Sequence, residues 1–192
     1  MHGSDAAHAA LSEAMALHQQ VRDAGLDTTV AAAAAIVASL RQGGTVLVFG
    51  NGGSAADAAH MAAELVGRFR RERRGYAAVA LTADPSVITS IANDYGYERV
   101  FARQVEALGR PGDIAVAIST SGESANVVGA LDAARTRGLT TIALTGRDGG
   151  RAGRMADIHV NVPSAATPRV QEVHRTLLHV ICDLVETQLS AG

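Results

Sequence analysis

His60 and Glu64 stand four residues apart, so on a helix they share one face. An imidazole and a carboxylate in that relation can ligate a metal or work as an acid–base pair. Taken alone, such a pair is more often a surface contact than a site. Its position changes that expectation. The apolar run from Val46 to Phe49 ends in Gly50, Asn51, Gly52, Gly53 and Ser54, and an alanine-rich segment of helical composition carries His60 and Glu64 one turn further on. The order strand, glycine turn, helix start sets backbone N–H groups where an anionic or polyhydroxylated ligand can sit.

A second loop has similar chemistry. Ser119, Thr120, Ser121 and Ser124 place four hydroxyls within six residues, with Gly122 for the turn and a helical pattern behind. Hydroxyls, N–H groups and the positive end of a helix make an uncharged phosphate cradle. A helix cap needs only Ser124, so the other hydroxyls favour phosphate binding. Glu123 must then point away.

Both loops need elements to hold them. Residues 5–23 and 27–42 read as helices, broken at Gly25 and closed by Gly43 and Gly44. Strands are expected over Thr45–Gly50, Tyr76–Leu81, Asp113–Ser119, Thr140–Thr145 and Ile158–Val162. Helices are expected over Ala55–Arg68, Ser86–Ala92, Glu98–Leu108 and Ser124–Arg137, after Gly149, and over Thr167–Leu189, with Pro168 in the first turn. Continuous apolar strands alternating with helices imply an α/β three-layer sandwich with a five-stranded parallel sheet, preceded by N-terminal helices. Ligands of such sheets sit beyond the carboxyl ends of the strands, where both loops fall.

The 192 residues suit one domain: helices over 1–43 and an α/β core over 44–192. With 47% apolar residues, no Trp, three Phe and three Tyr, the core must be mainly aliphatic. A net charge of −2 argues against nucleic acid as a partner. The basic run Arg68–Arg74 reads as a solvated helix end. The single cysteine, Cys182, lies in an apolar helical pattern and reads as core. No secretory signal or membrane-length apolar stretch is visible, so a cytoplasmic protein without membrane contact is expected.

These motifs together resemble the sugar isomerase (SIS) fold and, within it, the sedoheptulose 7-phosphate isomerases, or phosphoheptose isomerases. The likeness runs through the N-terminal helices, Gly50–Ser54, His60 and Glu64, Ala92–Gly96, Ile118–Gly122, Leu144–Gly150 and Arg169–His179. It implies conversion of sedoheptulose 7-phosphate to D-glycero-D-manno-heptose 7-phosphate in a homotetramer with active sites at subunit interfaces. It implies one zinc per subunit, held by His60, Glu64, Gln171 and His179. It further implies sugar contacts from Asn51, Gly52, Gly53, Ser54, Glu64, Asn93, Asp94 and Gln171, with the phosphate in Ser119, Thr120, Ser121 and Ser124. This chain has Glu123 where relatives usually have Asn, and Pro168 where some have an acidic residue. The competing reading is a non-catalytic SIS protein, either a sugar-phosphate sensor or a scaffold that binds a replication initiator. Such relatives lack the complete acid–base and metal set.

Ketose–aldose interconversion moves a proton between adjacent carbons through an enediol. Glu64 is the expected base, because a carboxylate beside apolar Ala and Leu positions is readily desolvated. His179 is the expected acid. His174 reads as a packing or interface residue, with its three-residue spacing from Gln171 making it the alternative ligand. Gln171 and His179, eight residues apart, are separated by roughly 12 Å along a straight helix. With ligand distances of about 2 Å they barely reach one ion. Either the helix starts irregularly near Pro168, or the two ligands come from different copies of the chain; the resemblance to enzymes with interfacial sites favours the second.

Overall fold

The computed structural model describes residues 3–190. Helices α1 (Gly3–Ala24) and α2 (Asp27–Arg41) precede β1 (Val46–Gly50), α3 (Gly53–Val66) and β2 (Ala78–Ala80). Then follow α4 (Pro85–Tyr95), a 3-10 turn (Tyr97–Arg99), α5 (Ala102–Leu108), β3 (Ile114–Ser119) and α6 (Ala125–Thr136). The chain closes with β4 (Thr140–Gly146), α7 (Gly150–Met155), β5 (Ile158–Val162) and α8 (Thr167–Ser190). The five strands are all parallel, in the order β2-β1-β3-β4-β5. After β1 the chain turns one way to β2, then returns to lay β3 on the other side of β1. The switch point of the sheet therefore lies between β1 and β3, where Gly50 is in register with Ile118. In open α/β sheets the ligand crevice forms at such a point. The glycine loop leaves β1 and the hydroxyl loop leaves β3.

Alternation along the strands divides the core into two layers. Val46, Val48, Ile114, Val116, Ile118, Ile142 and Leu144 face α2, α3 and α8. Leu47, Phe49, Ala115, Ala117 and Ala143 face α5, α6 and α7. The central strands β1, β3 and β4 thus bury both their faces, which is why they read as unbroken apolar runs. Among the described residues, no single helix is long and apolar enough to cross a membrane.

Local departures from the expected elements have local causes. Helix α3 starts at Gly53 rather than Ala55, because Asn51 and Gly52 already accept the first turn's hydrogen bonds from Ser54 and Ala55. The second strand shrinks to Ala78–Ala80 at the sheet edge. The helix expected over Glu98–Leu108 splits into the 3-10 turn and α5, which lets the chain bend to bury both Val100 and Phe101. The largest correction is the basic run. It is not a solvated helix end, because α3 stops at Val66 and the following chain folds over Glu186, which has no exposed surface.

Candidate active site

The glycine loop is a close approach of backbones. A Cβ on Gly50 would stand 2.7 Å from the Ile118 carbonyl, and Gly52 has φ +56°. Ser54 is buried beneath the loop. A Cβ on Gly53 would meet the Gln171 amide at 2.6–2.8 Å, so this glycine admits the Gln171 side chain of α8 over the loop.

Asn51 joins the two loops. Its Nδ2 donates to Asn126 Oδ1 (2.8 Å), and Asn126 Nδ2 returns the bond to Asn51 Oδ1 (2.9 Å). Tyr97 Oη adds a bond to the same Asn51 oxygen (3.1 Å). One amide hydrogen of Asn51 remains for a ligand. Asn126 was not anticipated. Its signal is a buried amide in the first turn of α6, two residues after the last hydroxyl of the second loop. Asn93 and Asp94 lie at the exposed end of α4, where Asn93 Nδ2 donates to Asp94 Oδ1 (2.8 Å).

In the hydroxyl loop, Ser119 Oγ stands 3.5 Å from Ser121 Oγ and 3.3 Å from Ser124 Oγ, and it accepts from the Gly122 N–H (3.1 Å). Ser124 occupies the N-cap of α6 but makes no capping bond with its side chain. Its hydroxyl turns into the loop instead, as a ligand cradle needs. Glu123 does point away: its Oε1 accepts from the Arg151 N–H (2.8 Å) and lies 3.6 Å from the Arg154 guanidinium on α7.

Helices α3 and α8 bring His60, Glu64 and His179 together. The Nε2 atoms of His60 and His179 are 2.8 Å apart, and Glu64 Oε1 is 3.4 Å from His60 Nε2. One ligand atom from each of the three lies within 4.8 Å of the others. Tetrahedral ligands about 2 Å from zinc stand roughly 3.3 Å from one another, so this donor set fits a zinc ion. Burial first, then the facing His60, hold the His179 imidazole below the ordinary histidine range, with Arg175 and Arg70 adding to the effect and Glu64 opposing it. A ring so held is neutral near pH 7, the form that binds metal or offers its remaining N–H to a developing oxyanion.

The fourth expected ligand stands elsewhere on the same helix. Helix α8 is helical from Thr167, so an irregular start near Pro168 does not bring Gln171 to His179. His174 is the packing residue expected from its pattern. It is fully buried, and its Nε2 donates to the Thr145 carbonyl (3.0 Å). Between Gln171 and His179, Arg175 Nε donates to the nearly buried Asp57 (2.6 Å), locking α8 to α3. An open cleft of about 620 Å³ runs from Gly53 and Gln171 past this pair to His18 of α1. Cys182 is core, with its thiol pushed up to about 12 by burial, the nearby Glu64 and Glu186 adding to the rise against Arg73.

A family model described as the SIS domain matches residues 11–146. The phosphoheptose isomerase of Roseiflexus sp. (strain RS-1) is 58% identical over 160 residues, covering 83% of this chain and 81% of that protein. The structure of a phosphoheptose isomerase from Neisseria gonorrhoeae superposes with a TM-score of 0.92 at 45% identity, covering 96% of this chain and 98% of that one. A phosphoheptose isomerase from Francisella tularensis gives 0.94 at 36% identity, over 97% and 100% of the two chains.

Proposed function

The chain belongs to the SIS-domain family as one of its phosphoheptose isomerases, and on that premise we propose that it converts sedoheptulose 7-phosphate to D-glycero-D-manno-heptose 7-phosphate through an enediol. The observation that carries this reading is the convergence of His60, Glu64 and His179 between α8 and α3, the helix that leaves the glycine loop, together with the cluster of hydroxyls in the loop after β3. The phosphate lies in the cradle of Ser119, Thr120, Ser121 and Ser124, facing the N-terminus of α6. Asn51, Gly52, Gly53, Ser54, Asn93, Asp94 and Gln171 orient the open-chain sugar.

Glu64 takes the proton from C1 of the ketose, while His179 delivers one to the C2 oxygen, leaving the enediol. Loss of the O1 proton to His179 and return of a proton from Glu64 to C2 then give the aldose. His60, Glu64, Gln171 and His179 are the residues that would hold zinc, with one ion per subunit. The chemistry a bound zinc supplies at such a site is Lewis-acid polarisation of the sugar carbonyl.

The protein acts as one SIS domain over residues 1–192, in a cytoplasmic homotetramer with active sites at subunit interfaces. The exposed Leu11 and Met15 of α1 support assembly through the N-terminal helices of residues 1–43. Incubating purified protein with sedoheptulose 7-phosphate and following the carbon-bound protons by NMR tests the reading. Aldose should appear. Tight binding without aldose would replace the enzyme by a sensor.

A further inference from the structure

Glu186 has no exposed surface, yet it is a carboxylate on the same helix as His179, two turns further along. Burying that charge is costly unless donors surround it, and here four do. The backbone N–H groups of Phe69 (3.1 Å), Arg70 (2.8 Å) and Arg71 (2.9 Å) converge on it, joined by Arg73 Nε (3.1 Å). The Arg73 side chain is itself only 6% exposed. One of its terminal nitrogens donates to the carbonyls of Leu65, Gly67 and Arg74, and the other to the carbonyl of Glu64 (2.8 Å). Its guanidinium also lies 4.0 Å from the Tyr76 ring centre. Two of these carbonyls, Glu64 and Leu65, belong to the last turn of α3, which has no partners for them within the helix.

The pair is too deeply buried to touch substrate, but its two ends lead to the two groups assigned to proton transfer. Arg73 grips the main chain of Glu64. Glu186 fixes the loop from which the Phe69 ring stands 5.5 Å from the His179 ring, centre to centre. We propose that Glu186 and Arg73 are positioning residues that set Glu64 and His179 relative to each other, with Phe69 as the side wall that orients the His179 imidazole. The inference rests on the proposed roles of Glu64 and His179. A tie between α3 and α8 made only for stability needs no such convergence, because apolar residues of similar volume serve that end as well as a buried ion pair.

The test compares Glu186→Gln, Arg73→Lys, Phe69→Leu and Phe69→Tyr with Thr141→Val, which breaks a part-buried bond from β4, two strands away from β1, to Asp157 at the start of β5. Steady-state kinetics, thermal midpoints and the ring-proton NMR shift of His179 are measured on each. Phe69→Leu should lower kcat roughly 10-fold with KM nearly constant, since misplacement acts on the transition state. It should also move the His179 resonance by removing an aromatic ring current, and Phe69→Tyr should restore both. Glu186→Gln and Arg73→Lys should move the same resonance although Phe69 is still present, and lower kcat at least as much. Thr141→Val should lower the thermal midpoint while leaving kcat and His179 unmoved. If the His179 resonance and kcat stay at wild-type values in Phe69→Leu, or in folded Glu186→Gln, the positioning role is wrong. Should Glu186→Gln fail to fold, Phe69→Leu and Arg73→Lys decide. Wild-type protein without turnover would refute the proposed reaction, while the NMR comparison would still decide the positioning.

Discussion

His60 and His179 meet nitrogen to nitrogen, their Nε2 atoms 2.8 Å apart, joining α3 to α8 at the level of Glu64. Two imidazoles in that relation share either one proton or one metal ion. The nearby carboxylate supplies an oxygen ligand and no thiolate is needed, a donor set suited to zinc.

Metal content is therefore expected at about one zinc per chain. Elemental analysis should find it in the purified protein and not in His60→Ala. A chelator should abolish turnover, and added zinc should restore it. Full activity in rigorously metal-free protein would leave these residues with acid–base roles alone.

The regular course of α8 sharpens a second expectation. Gln171 lies over Gly53 while His179 faces His60, and Arg175 holds the intervening turn to Asp57. A site that uses both Gln171 and His179 then draws them from different copies of the chain. Gln171→Ala and His179→Ala should each be inactive alone. Mixed under conditions of subunit exchange, they should recover part of the activity, because some interfaces regain every ligand. A stably monomeric, fully active protein would contradict the shared site.

Glu186 makes a prediction about acid stability. Burial alone would raise its carboxyl, but the N–H groups of Arg70, Arg71 and Phe69 and the Arg73 guanidinium outweigh burial and hold it below the ordinary range. The unfolded chain therefore binds this proton first as pH falls. The stabilisation is present in full above the unfolded value of about 4.3 and is lost as pH drops toward the folded one. Urea unfolding between pH 7 and pH 3 should show that loss in the wild type. Glu186→Gln should be less stable at pH 7 by about 3–5 kcal/mol, the scale for breaking a buried pair, and flatter in acid. Asp157, also lowered, leaves a residual slope: bonds from Thr141 and the charge of Arg135 outweigh its burial. Parallel curves for the two proteins would mean that Glu186 is not held charged.

What the chain revealed before folding depends on how local each signal is. The strand, glycine turn and helix around Gly50 need only neighbours in sequence, as does the hydroxyl loop after β3. Both were legible and stand at the switch point. The pairing of His60 with His179 spans 119 residues and was reached through resemblance rather than spacing. Asn126 and Glu186 were not legible as site-supporting residues, because each is defined by partners far along the chain, Asn51 for one and the Phe69–Arg73 segment for the other. Arg73 was hidden for a related reason. Within a run of arginines nothing local marks the one whose guanidinium turns inward, and the run reads as a solvated end until Glu186 is seen beneath it.

The division between chemistry and binding gives the most direct test of the reaction. Glu64→Gln preserves the size of the side chain and its hydrogen-bonding reach, and the Arg73 bond to its backbone carbonyl does not depend on the side chain. What the variant loses is the charge and the ability to accept a proton. For an isomerase, kcat should fall by roughly 10²-fold or more, the usual scale of acid–base catalysis. Binding of the sugar phosphate should change far less, because the hydroxyl loop and the N-terminus of α6 still hold the phosphate. Ser121→Ala should show the opposite bias. Its hydroxyl accepts the Glu123 N–H and stands beside Ser119, so its loss should raise KM more than it lowers kcat. Measuring both constants for both variants on sedoheptulose 7-phosphate separates the roles. If Glu64→Gln turns over at the wild-type rate, the base lies elsewhere. If Ser121→Ala leaves KM unchanged, the phosphate does not sit in that loop.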